Sequence, residues 1–162
     1  MAITLGKTSL ERLATCHPDL QRVVKRAAKL AKKEDDFTVL EGVRTKEQMM
    51  INYGKGRTAA QLAAKGIPAK YAKPDAAKVT WLSNPFASAH AKQADGYSRA
   101  VDLAPYPIDW NNIARFDRIA KLMLEAAVLE GVAIRWGADW DRDGKPRERG
   151  ETDSPHFELA RQ

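Results

Sequence analysis

The sequence predicts an α+β fold, with helices packed on a small, mostly antiparallel sheet. Three observations carry this expectation. Leu20 to Ala31 and Ile113 to Val128 repeat apolar residues at helical spacing. Short segments rich in β-formers, such as Phe37-Thr38-Val39-Leu40, stand beside them. A length of 162 residues, at roughly 100–200 residues per domain, suits one compact domain.

The first helix is expected near Pro18, because proline is tolerated at the first helical position and Asp19 suits the positive end of the helix dipole. Leu20, Val23, Val24, Ala27, Ala28 and Ala31 form its apolar face, and the run Lys32 to Asp36 ends it. Phe37 to Leu40 reads as a strand. Gly42 breaks the run, and Arg44-Thr45 leads into a helix reaching about Tyr53. Gly54 to Arg57 reads as a loop and Ala59 to Lys65 as a short helix. Pro68 and Pro74 mark irregular chain, and Thr80-Trp81-Leu82 reads as a strand edge. Tyr97 to Leu103 is expected to be a strand. Asn111 or Asn112 caps a helix from Ile113 to Glu130, stopped by Gly131. Val132 to Trp136 and His156 to Leu159 complete the sheet.

Composition excludes several classes. Hydrophobic residues make up 44% and charged residues 30% of the chain, enough apolar material for a core. No apolar run reaches the ~18 residues of a membrane span. The start, Met1 to Lys7, lacks the apolar stretch of a secretory signal. The lone Cys16 can form neither an internal disulfide nor a thiolate cluster. A net charge of +6 favours polyanions, among them nucleic acid and anionic bacterial envelope polymers. The densest basic groups, Lys25–Lys33 and Arg142–Arg149, lack the interleaved aromatics of a single-strand binding platform.

The chemistry rests on few residues. Of the three histidines, His17 sits at a helix start and reads as a capping or surface residue. His90 follows Ser88-Ala89. Asp102 stands among the apolar residues Ala100, Val101 and Leu103, where an unpaired carboxylate is expensive and needs a cation or an arginine. His156 lies in Asp153-Ser154-Pro155-His156-Phe157-Glu158. Two imidazoles and a carboxylate are the ligand types of a catalytic zinc site with one position left open. Asp153, three residues before His156 across a proline turn, is placed to act as base on an attacking water. The planar fork of Arg44 suits an oxyanion or a substrate carboxylate.

These segments in this order resemble the zinc D-alanyl-D-alanine carboxypeptidases, a family that includes phage L-alanyl-D-glutamate endopeptidases. The matching stretches are Ser88-x-His90, Ser98-Arg99-Ala100-Val101-Asp102 and Asp153 to Glu158, with Val39 to Gln48 resembling the arginine-bearing segment. Trp136-Gly137-Ala138-Asp139-Trp140 is similar to a stretch common in the phage lysins. The resemblance implies zinc on His90, Asp102 and His156, with Asp153 as catalytic base and Arg44 as electrostatic support; Arg44, Ser88, Trp136 and Trp140 are expected toward the substrate. In the family the ligand aspartate follows its first histidine more closely, with a Gly between them. Here Lys92 to Gly96 reads as a small insertion, which makes Asp95 a rival to Asp102; the apolar strand context favours Asp102.

Asp139-x-Asp141-x-Asp143-Gly144 matches the first half of a calcium loop. Gly150 stands where the loop's closing glutamate is expected, with Glu151 one residue on, so an acidic surface turn is the plainer reading. Trp136 and Trp140 are expected to be partly core, with one of them lining a groove.

The expectation is therefore a zinc-dependent peptidase of the peptidoglycan stem peptide. It is expected to be a monomeric phage endolysin, a single domain without a separate wall-binding module. It would be made in the host cytoplasm without a signal peptide and reach the wall after membrane permeabilisation. The competing readings are a D-alanyl-D-alanine carboxypeptidase, a basic module for nucleic acid, and a site relic that binds wall fragments without cutting them. No helix-turn-helix or related signature supports nucleic acid as a partner.

Overall fold

The computed structural model describes residues 2–148 and 150–160. Met1, Arg161, Gln162 and Arg149, the last residue of the second basic cluster, lie outside the described residues. The helices are α1 (Lys7–Leu13), α2 (Pro18–Leu30), α3 (Lys46–Gly54), α4 (Ala59–Ala63) and α5 (Ile113–Glu130). The strands are β1 (Phe37–Glu41), β2 (Ala100–Pro105), β3 (Ile134–Trp136) and β4 (His156–Leu159). They form one antiparallel sheet in the order β1-β2-β4-β3, so the α+β expectation stands.

Alternation along the strands divides the sheet into two faces. Val39, Val101, Leu103 and Phe157 point into the core with Leu20, Val23, Val24 and Ala27 of α2 and Ile119, Ala120, Met123 and Ala127 of α5. Glu130 of α5 pairs with Arg22 and Arg26, tying the two helices together at their solvent edge. The residues between, Asp102, His156 and Glu158, emerge on the opposite face. A second apolar cluster, Tyr53, Leu62 and Ile67 with Met50, Tyr71 and Phe86, builds the segment that carries α3 and α4.

The caps follow the sequence. His17 Nδ1 accepts the Asp19 N–H at 3.0 Å, Thr45 caps α3, and Thr58 with Gln61 forms a capping box on α4. Asn112 caps α5, and Gly131 ends it at φ 68°, a left-handed conformation that glycine adopts without strain.

Three expectations are corrected. The first helix is α1, not the one at Pro18. It is a single short stretch whose periodicity is invisible, and its stability comes from β1. Ser9 Oγ accepts the Val39 N–H at 3.0 Å, and Arg12 donates to the Val39 carbonyl at 3.0 Å, satisfying groups of an edge strand. Thr80-Trp81-Leu82 is not a strand: it has no ladder partner, and the Thr80 carbonyl accepts from Arg57 instead. β2 and β3 begin later than expected, at Ala100 and Ile134. Tyr97 closes a turn with Gln93, through a backbone bond of 2.9 Å, before the ladder starts.

Candidate active site

The site is built on the helix-free face of the sheet. Asp102 of β2 is the register partner of His156 of β4. A bulge in β1 between Val39 and Glu41 sets Glu41 opposite Asp102. His90 arrives from the loop before β2. Its N–H donates to Ser88 Oγ at 3.1 Å, and its carbonyl accepts the Arg44 N–H at 2.8 Å.

Three atoms converge. His90 Nε2 lies 3.1 Å from Asp102 Oδ1 and 3.2 Å from His156 Nδ1, and His156 Nδ1 lies 3.3 Å from Asp102 Oδ1. The outer imidazole nitrogens are engaged elsewhere. His90 Nδ1 donates to the Gly42 carbonyl at 2.8 Å and His156 Nε2 to Glu158 Oε1 at 2.8 Å. Those outer bonds fix both rings so that each turns its inner nitrogen toward a carboxylate oxygen, as an acceptor when the ring is neutral and as a donor when it is protonated. Three acceptors at such separations require a positive charge between them. Bonds of about 2.0 Å around a tetrahedral ion place neighbouring ligand atoms about 3.3 Å apart, so the donor set fits a zinc-sized cation.

The protonation states express the same demand. Burial alone would push His156 down, but the Asp102 and Glu158 carboxylates lift it to about 9. Burial would raise the Asp102 carboxyl, yet the hydrogen bonds from His156 and His90 outweigh it and hold the carboxyl well below the usual range. Glu158 is likewise lowered: the bonds from His156 and Arg135 override its burial.

Over His90 and His156 opens a cleft of about 460 Å³. Asp153 lies at its mouth, Oδ2 3.7 Å from His156 Nδ1, with its side chain 52% exposed. Crowding by the cleft walls, with a smaller push from Asp102, raises its carboxyl above the ordinary value against the pull of His156. Arg44 Nε and Nη2 reach Glu41 Oε1 at 2.7 and 2.6 Å, and Nη2 stands 4.0 Å from Asp102 Oδ2. Ser88 and Trp140 line the cleft, the Trp140 ring 5.3 Å from that of His156.

Trp136 is placed differently from the groove-lining role expected of it. Its ring is buried and stacks on Phe157 at 6.4 Å, and Nε1 donates to the Ser154 carbonyl at 2.7 Å, so it braces the Asp153–His156 turn from behind. Gly137 completes that brace. Its N–H donates to the His156 carbonyl at 2.7 Å, and a Cβ there would meet the Asp153 and His156 Cβ atoms at 2.9 Å. Asp95 is turned away from the histidines: Arg99 Nη2 donates to it at 2.8 Å, and it accepts the Tyr97 N–H.

The acidic loop folds on itself. Asp139, Asp141 and Glu151 bring carboxylate oxygens together, as do Asp141, Asp143 and Glu148. Asp139 accepts the Asp143 and Gly144 N–H groups, and the buried Glu151 accepts those of Asp141 and Glu148. Glu151, one residue past the expected closing position, thus turns into the loop.

Four contributors escaped the sequence reading. Glu41 holds Arg44, but only the bulge brings it to the site. Glu158 and Arg135 carried a usable signal, since each alternates with core residues on its strand. Arg57 carried none. It is buried 3.9 Å over the Tyr53 ring and donates to the Tyr53 and Thr80 carbonyls, fixing the segment whose Val79, Trp81 and Leu82 form one cleft wall.

A sheet face that gathers two imidazoles and a carboxylate, with a second carboxylate and a guanidinium over the cleft, has the arrangement of a peptidase. The comparisons agree. The family model described as phage L-alanyl-D-glutamate peptidase matches residues 1–160, and the chain belongs to that family. It is 32% identical, over 99% of its length and 100% of the relative's, to the L-alanyl-D-glutamate peptidase of Escherichia phage T5. Its fold matches the crystal structure of the Serratia marcescens L-Ala D-Glu endopeptidase ChiX. The TM-score is 0.57 at 23% identity, covering 97% of this chain and 90% of the other.

Proposed function

We propose that this protein is a zinc-dependent endopeptidase that cleaves the L-Ala–D-Glu bond of the peptidoglycan stem peptide, acting as one domain in the manner of a phage endolysin. Family membership supports the bond, and the three facing acceptors support the cation. The single observation that carries the reading is that His90 Nε2, Asp102 Oδ1 and His156 Nδ1 lie within 3.3 Å of one another while their outer nitrogens are held by Gly42 and Glu158.

His90, Asp102 and His156 would hold the ion. Zinc, when bound, supplies a Lewis acid for the scissile carbonyl and lowers the pKa of a water. The remaining work falls to the chain. Asp153, raised above an ordinary carboxyl and over the cleft, accepts a proton from the attacking water and passes it to the leaving amine. Arg44, held by Glu41, balances the negative charge that develops on the carbonyl oxygen. Ser88 and Trp140 border the bound peptide. The basic surface favours approach to an anionic envelope.

Purified peptidoglycan treated with the protein, with and without chelator, tests the reading. New L-Ala carboxyl and D-Glu amino termini by mass spectrometry, lost with chelator, are expected. Release of D-Ala alone would instead make it a carboxypeptidase, and binding without cleavage a wall-binding module.

Asp139 and Asp141 gather with Glu151, and Asp141 and Asp143 with Glu148; calcium held by Asp139, Asp141 and Asp143 would brace the loop leading to Asp153 and His156. Calorimetry on zinc-loaded protein should then show calcium binding; its absence would eliminate that role.

A further inference from the structure

Two guanidinium groups line the cleft, and they enter it from opposite edges of the sheet. Arg44 follows β1, with Nε and Nη2 both on Glu41 and Asp102 close by. It is engaged by carboxylates of the β1–β2 side. Arg135 comes from β3, at the other edge. Its guanidinium lies over the Trp140 ring at 5.1 Å, and its side chain is 35% exposed. Among the described residues it donates one hydrogen bond, from Nη2 to Glu158 Oε2 at 2.9 Å, and its buried Nε has no partner. Glu158 is itself shared with His156. Arg135 therefore keeps a positive charge and a fork that the protein does not saturate.

Asp153 stands on this same side. Its N–H donates to the carbonyl of Gly137, two residues beyond Arg135, at 3.1 Å. Its carboxylate stands 3.7 Å from His156 of β4, the strand next to β3, so the amine it protonates lies over β4 and the residue carrying that amine extends toward β3. In an L-Ala–D-Glu bond that residue is glutamate. It has two carboxyl groups, of which the chain can continue through only one. The other is a free carboxylate within a few bonds of the scissile nitrogen, and Arg135 lines the cleft on the β3 side of it.

We propose that Arg135 is the specificity-determining residue that binds the free carboxylate of the D-Glu on the leaving side of the bond. The assignment rests on the endopeptidase reading above and deepens it. It divides the two arginines: Arg44 serves the carbonyl, and Arg135 selects the residue whose amine is released. A charge-assisted fork on a carboxylate discriminates against the neutral amide by roughly 10- to 100-fold, because the amide leaves part of the guanidinium unpaired.

The test uses zinc-loaded full-length protein and two synthetic stem peptides, identical except that the free D-Glu carboxylate is an amide in one. Wild type should favour the acid peptide by roughly tenfold or more in kcat/KM. Arg135→Gln should bring the ratio of acid to amide near one, mainly through KM for the acid peptide. Arg135→Lys, which keeps the charge without the fork, should fall between. Zinc content and circular dichroism report whether each variant is folded and loaded. A wild-type ratio near one, an Arg135→Gln ratio equal to wild type, or an equal loss on both peptides would overturn the assignment. The last would leave Arg135 only as a structural partner of Glu158. Failure of wild type on both peptides would instead overturn the endopeptidase reading on which the assignment stands.

Discussion

Removing the carboxylate of Glu158 should weaken metal binding without touching a ligand. Oε1 accepts His156 Nε2–H at 2.8 Å, and Oε2 accepts from Arg135 at 2.9 Å. The first bond fixes the tautomer that presents Nδ1 toward His90 and Asp102. Its charge also makes the imidazole a better donor. Such outer partners are worth about 10- to 100-fold in metal affinity, or about 1.4–2.8 kcal/mol. The two variants should split that range. Glu158→Gln keeps an amide oxygen that can accept the Nε2–H, so the tautomer survives and only the charge is lost; about tenfold is expected. Glu158→Ala leaves the buried His156 Nε2–H without an acceptor, and about 100-fold is expected. Competition against a chromophoric zinc chelator at fixed pH measures both values. Wild-type zinc affinity in both variants would instead mean that His156 takes its orientation from packing alone and owes nothing to Glu158.

Other outcomes follow from the same geometry. Asp153→Asn should retain zinc and lose nearly all turnover, whereas His156→Ala should lose both, as zinc analysis and peptidoglycan assays will show. Because its raised carboxyl is harder to ionise, Asp153→Asn should melt no lower than wild type; a clear drop in Tm would contradict the functional placement of this group. For His156, lifted from 6.5 to about 9 by Asp102 and Glu158 against burial, the bound proton competes with the cation. Zinc affinity should therefore fall about tenfold for each pH unit below about 9. The same shift stabilises the metal-free protein in full below about 6.5, and that contribution fades as pH rises through about 9. Melting curves of metal-free protein across this window check the sign. Gly137→Ala should cost about 1–3 kcal/mol by overpacking the Asp153–His156 turn, a Tm loss of roughly 2–12 °C. An unchanged Tm and unchanged activity would show that the turn yields freely.

Residues whose local pattern repeats were legible in the sequence. The apolar periodicity of α2 and α5 survives into the core because both helices bury one stripe against the sheet. Val101-Asp102-Leu103 and His156-Phe157-Glu158 reveal their polar face because strand alternation is local. What failed was set by tertiary partners. Helix α1 exists because β1 has an edge to cover, and nothing within Lys7–Leu13 states that. Thr80 to Leu82 has β-forming residues but no strand to pair with, and Arg57 takes the carbonyl that a ladder would have used. Glu41 reaches Arg44 and Asp102 through a bulge, which shifts alternation by one residue at the point where it mattered. Trp136 and Trp140 sit four residues apart in one motif, yet the turn at Gly137 sends the first into the core and the second to the cleft.

Anomalous diffraction from crystals of the zinc-loaded protein would show where the ion sits and which atoms hold it. One strong zinc peak is expected, bonded by His90 Nε2, Asp102 Oδ1 and His156 Nδ1 at about 2.0–2.2 Å, with an open position facing Asp153. A zinc peak elsewhere, or ligation through His90 Nδ1 or His156 Nε2, would contradict it.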